Sequence, residues 1–160
     1  MIDFRIPSDL EAVQRRVADF VRAEVLPAEE ALGYRMESDE ALETVATLRA
    51  AARASGVWNP HLPPEWGGMG LGPLGMALVS QECGVSGLAS LALNAMAPDE
   101  GNMYLLLHAG DAEQQDRYLR PLADATVRSC FAMTEKAAGA DPAGIVTVAR
   151  RDGSGWVLDG

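Results

Sequence analysis

Over roughly the first two thirds of this chain, apolar residues recur at steps of three and four. From about residue 127 the pattern gives way to short β-rich runs. A helix-period pattern cannot be laid out as a sheet, because it would scatter its apolar side chains over both faces. Helices followed by strands point to two segregated units. The expected fold is mainly α: a helical region over residues 1–124, then the opening strands of a β unit over residues 125–160. At 160 residues and 48% hydrophobic, the chain can build one domain with a real core plus part of another.

Local signals place the elements. Ser8-Asp9-Leu10-Glu11 reads as a capping box. Behind it, Leu10, Val13, Val17, Phe20 and Val21 form one apolar stripe, and Pro27 is expected to end or bend the helix. A second helix is expected to open at Ser38-Asp39-Glu40 and run through Leu42, Val45 and Leu48 to Gly56. Residues 57–72 hold four glycines, three prolines and two tryptophans, which implies an irregular loop that packs against the core. Helical spacing resumes over 73–84 and 86–96. A turn at 97–101 precedes a helix over 102–109, Gly110 closes it, and Asp111 caps a helix reaching Pro121. Strands are expected at 127–134, 146–149 and 155–158.

Charge and ligand chemistry exclude several functions. The formal net charge is -10, and no basic stripe suited to nucleic acid appears. No apolar run approaches the roughly 20 residues of a membrane span, and the N-terminus lacks a secretory pattern, so a cytoplasmic protein is expected. Cys83 and Cys130 read as buried reduced thiols, and His61 and His108 have no ligand-spaced partners. No metal is assigned.

The segment with chemical promise is Phe131-Ala132-Met133-Thr134-Glu135-Lys136-Ala137-Ala138-Gly139-Ala140-Asp141. A strand ending in threonine and entering a small-residue loop leaves main-chain donors and acceptors free for a planar ligand edge. By itself that junction is more often purely structural. It resembles the acyl-CoA dehydrogenase signature, a strand followed by Thr-Glu-Pro and Ala-Gly-Ser-Asp. Further matches fall in family order: Pro63-Pro64-Glu65-Trp66-Gly67-Gly68-Met69-Gly70, then Gly110-Asp111 through Tyr118-Leu119-Arg120-Pro121-Leu122, then Trp156-Val157-Leu158-Asp159-Gly160. Ala97-Pro98-Asp99-Glu100-Gly101-Asn102-Met103 and Arg128-Ser129-Cys130-Phe131 resemble a branch of the family found beside phosphotransferase-like domains.

The resemblance implies a helical N-terminal domain, a middle β domain and a C-terminal helix bundle. FAD would lie between the last two, with an acyl-CoA thioester against it. A carboxylate would remove the α-proton while the β-hydrogen leaves as hydride to flavin N5. It also implies an electron-transfer flavoprotein as partner of the full-length enzyme, and a homo-oligomer. Carried over by position, Phe131, Met133 and Thr134 would meet the flavin edge, and Gly139 and Ala140 the pyrophosphate and start of the CoA arm. Ala140 would therefore contact substrate too. Leu93, Met96 and Met103 are candidates for the acyl-chain wall, although ordinary helix packing accounts for each.

Two positions depart from the family pattern: Lys136 replaces proline, and Ala140 replaces a serine whose hydrogen bond is worth on the order of 1 kcal/mol. Glu135 is read as not catalytic, because in the family the base lies beyond the region matching Gly160. No catalytic residue is assigned. The chain is expected to be a truncated, inactive part of the enzyme, binding FAD weakly or not at all. Three or four flavin hydrogen bonds at about 1 kcal/mol each correspond to millimolar affinity. The alternative is a non-enzymatic helical interaction module derived from the same fold.

Overall fold

A computed structural model describes residues 5–33, 35 and 38–160 of the chain. It forms two compact units, one ending at Ser129 and the other spanning Cys130–Gly160. In the first, helix α1 (Ser8–Phe20) runs through a π turn (Val21–Val25) into α2 (Leu26–Ala31). Pro27 therefore neither ends the helix nor breaks it. An α-helical proline lacks the N–H for the residue four back and crowds that carbonyl. Here Leu26 N–H reaches five residues back to Val21 O, which widens the turn just before the proline. The same device recurs at Pro121: Arg120 N–H bonds Gln115 O at the end of a π turn (Gln115–Leu119), and α8 (Arg120–Ala123) continues past the proline. The expected capping box at Ser8 does not form. Ser8 already lies inside the helix, Pro7 occupies the N-cap, and Glu11 N–H bonds Pro7 O.

Helix α3 (Asp39–Ala54) opens as expected, with the Ser38 hydroxyl accepting from Ala41 N–H. It buries Ala41, Val45, Leu48 and Ala52, while Leu42 is 71% exposed. The buried stripe is thus carried partly by alanines, which let the helix approach its neighbours closely. Helix α4 (Pro73–Cys83) packs on α1, joined also by Gln14 Nε2 donating to Glu82 Oε1 at 2.7 Å. The region expected as a helix over 86–96 keeps only a short α5 (Ala89–Ala92), because buried Glu29 takes Gly87 N–H and Asn94 turns left-handed at φ 56°. Helix α6 (Asp99–Ala109) starts three residues earlier than expected. A short α7 (Ala112–Gln114) carries the expected Asp111 cap, completed as a box by Gln114.

Two apolar clusters make the core. One joins α1, α3, α4 and α5 around Val17, Phe20, Leu48, Trp58 and Leu93. The other gathers Leu62, Met103, Leu119 and Leu122. Loop 57–72 lies between them, with Trp58 buried and Trp66 packed on the second cluster. Gly68 has no room for any side chain, since a Cβ there would sit 2.0 Å from Leu62 O.

The end of α8 is held by side chains from elsewhere in this unit. The last carbonyls of a helix have no intrahelical partner. Asn94 Nδ2 donates to Leu122 O at 2.9 Å and Asn59 Nδ2 to Ala123 O at 2.8 Å. Arg53 reaches Asp124 O at 2.8 Å and Arg49 reaches Ala125 O at 3.4 Å. Four successive carbonyls are met by four side chains, and the two arginines also complement the negative end of the helix. Asn94 further donates to Asn59 Oδ1 at 2.8 Å. Both asparagines are buried with positive φ, a conformation asparagine tolerates better than most residues.

In the second unit, β1 (Val148–Asp152) and β2 (Gly155–Asp159) form an antiparallel hairpin pairing Val148 with Asp159 and Asp152 with Gly155. The turn Arg151-Asp152-Gly153-Ser154 falls where expected, and the first strand begins two residues later than expected. Residues 127–134 are not a buried strand. They are irregular and largely exposed, and no strand among the described residues pairs with them.

The carbonyl clamp gives a direct stability test. Asn94→Ala strands Asn59 Oδ1 and leaves Leu122 O to Ala125 N–H alone, and is expected to cost about 1–3 kcal/mol in urea unfolding followed at the helical CD band. Leu42→Ala, on the exposed face of α3, is expected to change it by no more than about 0.5 kcal/mol.

Candidate functional site

The strand-end segment is the chemically equipped part of the second unit. Residues 131–137 line a cavity of about 860 Å³ together with Ile145, Val146, Thr147 and Gly160. Phe131 is 67% exposed and Met133 46% exposed, so their faces are open to a ligand. Among the described residues, 131–134 make no backbone hydrogen bond. All four residues line the cavity. A planar heteroaromatic edge with alternating donors and acceptors is the chemistry such a wall can meet. The structure thus brings together Phe131, Met133 and Thr134. Gly139 and Ala140 do not line the cavity; both are exposed on the turn beyond it, with Gly139 at φ 57°.

Glu135 closes this loop. Its carboxylate accepts from Val146 N–H at 2.8 Å and Thr147 N–H at 3.0 Å. The Thr147 hydroxyl and these amides hold its pKa below the ordinary carboxylate value. A carboxylate occupied in this way is a poor proton acceptor. Asp141 shapes the following 3₁₀ turn (Pro142–Gly144) by accepting from Ala143 N–H. Cys130, expected to be buried, is exposed, and Cys83 is buried with its thiol pushed up to about 11 by desolvation. Among the described residues no group of three metal-ligating side chains gathers, and no helix is long and apolar enough to cross a membrane.

Two of the acyl-wall candidates are core residues: Leu93 and Met103 are fully buried, in the first and second clusters respectively. Met96 is 41% exposed. The two histidines, distant in sequence, flank Tyr104: His61 lies 5.4 Å from its ring, tilted, and His108 6.1 Å away, stacked. His61 is buried, and neither ring nitrogen has a protein partner among the described residues. Desolvation lowers its pKa to about 4 and keeps it neutral. Residues that sequence reasoning passed over are Asn59, Asn94 and Asp99. The available signal was small buried amides and an acid amid apolar runs, which periodicity treats as loop.

Comparison with known proteins decides the family. Residues 7–126 match the acyl-CoA dehydrogenase N-terminal domain. This chain belongs to the acyl-CoA dehydrogenase family. It is 36% identical over 166 residues to Mycobacterium tuberculosis FadE2, itself assigned as an acyl-CoA dehydrogenase, covering 99% of this chain and 40% of that one. It is 33% identical to mouse acyl-CoA dehydrogenase family member 11, covering 94% of this chain and 20% of the relative. The chain therefore spans well under half the length of these relatives. Among solved structures, one from Mycobacterium abscessus assigned to the same family superposes with a TM-score of 0.85 at 34% identity, over 98% of this chain and 42% of that one. A Mycobacterium smegmatis glutaryl-CoA dehydrogenase in complex with FADH2 superposes at 0.68 with 28% identity, over 97% of this chain and 38% of that one. This acyl-CoA dehydrogenase family chain thus has the helical N-terminal domain and the start of the β domain.

The buried imidazole makes this chain acid-sensitive. Unfolded, His61 takes up a proton near pH 6.5; folded, it does so only near 4. The unfolded state therefore binds more protons between those values, and stability falls as pH drops from 6.5 to 4. The expected loss is about 3 kcal/mol, with little further change from this group below pH 4. His61→Phe is expected to remove that part of the pH slope in chemical denaturation at pH 7, 5.5 and 4.

Proposed function

We propose that this chain is the N-terminal part of an FAD-dependent acyl-CoA dehydrogenase that forms the α,β double bond of an acyl-CoA thioester. The observation that carries the reading is the wall at residues 131–134: free main-chain groups, exposed Phe131 and Met133, and the Thr134 hydroxyl, all on one cavity. An isoalloxazine edge asks for hydrogen-bonding backbone beside apolar side chains, and residues 131–134 offer both. A Bacillus anthracis acyl-CoA dehydrogenase complexed with FAD superposes with a TM-score of 0.67 at 26% identity, over all of this chain and 27% of that one.

In this reading the main chain at Phe131 and Met133 orients the flavin pyrimidine edge, and Thr134 donates to or accepts from it. Gly139 and Ala140 leave the turn open for the pyrophosphate and the CoA arm. Glu135 fixes the far side of the cavity through Val146 and Thr147 and takes no part in proton abstraction. When bound, FAD supplies the hydride acceptor. The α-proton goes to a carboxylate outside the 160 residues, and electrons pass on to an electron-transfer flavoprotein. The assembled enzyme is a homo-oligomer in the cytoplasm.

The protein as its gene encodes it is expected to purify with flavin and to lose its visible flavin absorbance anaerobically on addition of an acyl-CoA. The isolated 160 residues are expected to bind FAD no tighter than about millimolar. Thr134→Val is expected to weaken FAD binding to the encoded protein by about fivefold, the equivalent of one hydrogen bond near 1 kcal/mol. An encoded protein without flavin affinity overturns the assignment and favours a helical interaction module.

A further inference from the structure

The hairpin ladder stops where the cavity begins. Its register pairs Val148 with Asp159, so the next pair outward would be Thr147 with Gly160, and both of these line the cavity. The strand does not extend to them. The N–H groups of Val146 and Thr147 donate instead to the two carboxylate oxygens of Glu135, at 2.8 and 3.0 Å. Along a strand, consecutive N–H groups point to opposite sides. Here both turn to one carboxylate, which bends the main chain into a small anion-holding concavity. The Thr147 hydroxyl further stabilises the charged carboxylate. A Cβ on Gly160 would lie 2.0 Å from the Thr147 side-chain oxygen, so Thr147 fills the space over Gly160.

All of these residues belong to the second unit, and Glu135 follows Thr134 directly in sequence. Residues 131–134 make no backbone hydrogen bond of their own. Among the described residues, no hydrogen bond other than the two from Glu135 joins 131–137 to 145–147. One side chain therefore sets the gap between two sides of the cavity. Charge-assisted bonds to a carboxylate are short and directional, which suits them to hold that gap. Hydrogen-bond recognition of a rigid ring is lost when its partners drift by about 0.5 Å.

We propose that Glu135 and Thr147 are a positioning pair for the cofactor: the carboxylate, seated on the amides at the open end of the hairpin, fixes the distance at which Phe131, Met133 and Thr134 meet the flavin edge. This deepens the FAD reading above and rests on it. Glu135 acts through the main chain at Thr134 and takes no part in the chemistry.

The test uses the protein as its gene encodes it. Glu135→Gln keeps the length but turns one acceptor into a donor facing an N–H, and Glu135→Ala removes both acceptors. The Kd for FAD is expected to rise about fivefold in the first and about tenfold or more in the second, with the visible CD of the bound flavin shifted in both. Gly160→Ala, which drives a methyl into Thr147, reaches the same contact from the hairpin and is expected to raise the Kd about fivefold. Arg150→Gln removes the exposed Arg150–Asp159 pair from the same hairpin and is expected to leave the Kd within about twofold. Wild-type affinity and flavin CD in both Glu135 variants overturn the proposal. A loss in Arg150→Gln as large as theirs overturns it too, because any weakened hairpin would then have the same effect. Should the wild-type protein bind no FAD, the functional reading fails instead. Amide hydrogen exchange at Val146 and Thr147 then reads the contact directly: faster exchange in Glu135→Gln supports the grip, and an unchanged rate overturns it.

Discussion

Four consecutive carbonyls, from Leu122 to Ala125, lie at the end of α8, and each is taken by a side chain from a distant part of the chain. Helix ends expose such acceptors in every protein, and solvent usually satisfies them. Here two buried asparagines and two arginines of α3 do so. This ties α3, loop 57–72 and the segment after α5 to a single point. The tie explains otherwise odd features: left-handed backbone at Asn59 and Asn94, the stack of Arg53 on Trp58 at 3.7 Å, and the partly buried guanidinium of Arg49. Each serves to bring a donor to the same helix end.

Downstream of that clamp, the Asp99 carboxylate holds Arg128 and Ser129, and the segment that lines the candidate cofactor cavity follows in sequence. Structural and chemical elements are therefore consecutive in sequence. Residues 122–125 are held by amides and guanidinium groups, residues 128–129 by a carboxylate, and residues 131–134 are left open. Within the second unit Glu135 ties the end of the open segment to Val146 and Thr147.

Much of this was legible in the residues. The Asp111–Gln114 cap, the Ser38 cap, the packed Trp58 loop and the hairpin turn at Asp152-Gly153 all follow from short-range chemistry and appear where expected. The family was legible too, because its motifs are short runs of small residues, glycines and prolines at fixed offsets. Pro27 was expected to end or bend its helix and the later helix to reach Pro121; both helices run on past the proline. A π turn absorbs the clash at Pro27 and at Pro121, and whether it forms depends on the packing of the helix, not on the local residues. Ser8 failed as a cap because the chain entered the helix one residue earlier.

The sequence by itself determined the helical character of the first region, the hairpin at the end and the family to which the chain belongs. These rest on periodicity, turn chemistry and local motif, all set within a few residues. Only the tertiary structure decided that residues 127–134 stay unpaired, that Cys130 faces out, that His61 and His108 meet at Tyr104, and that Asp99 grips Ser129. Each of those depends on which distant groups arrive at the same place. Burial and pairing are properties of that meeting, so no window along the chain contains them.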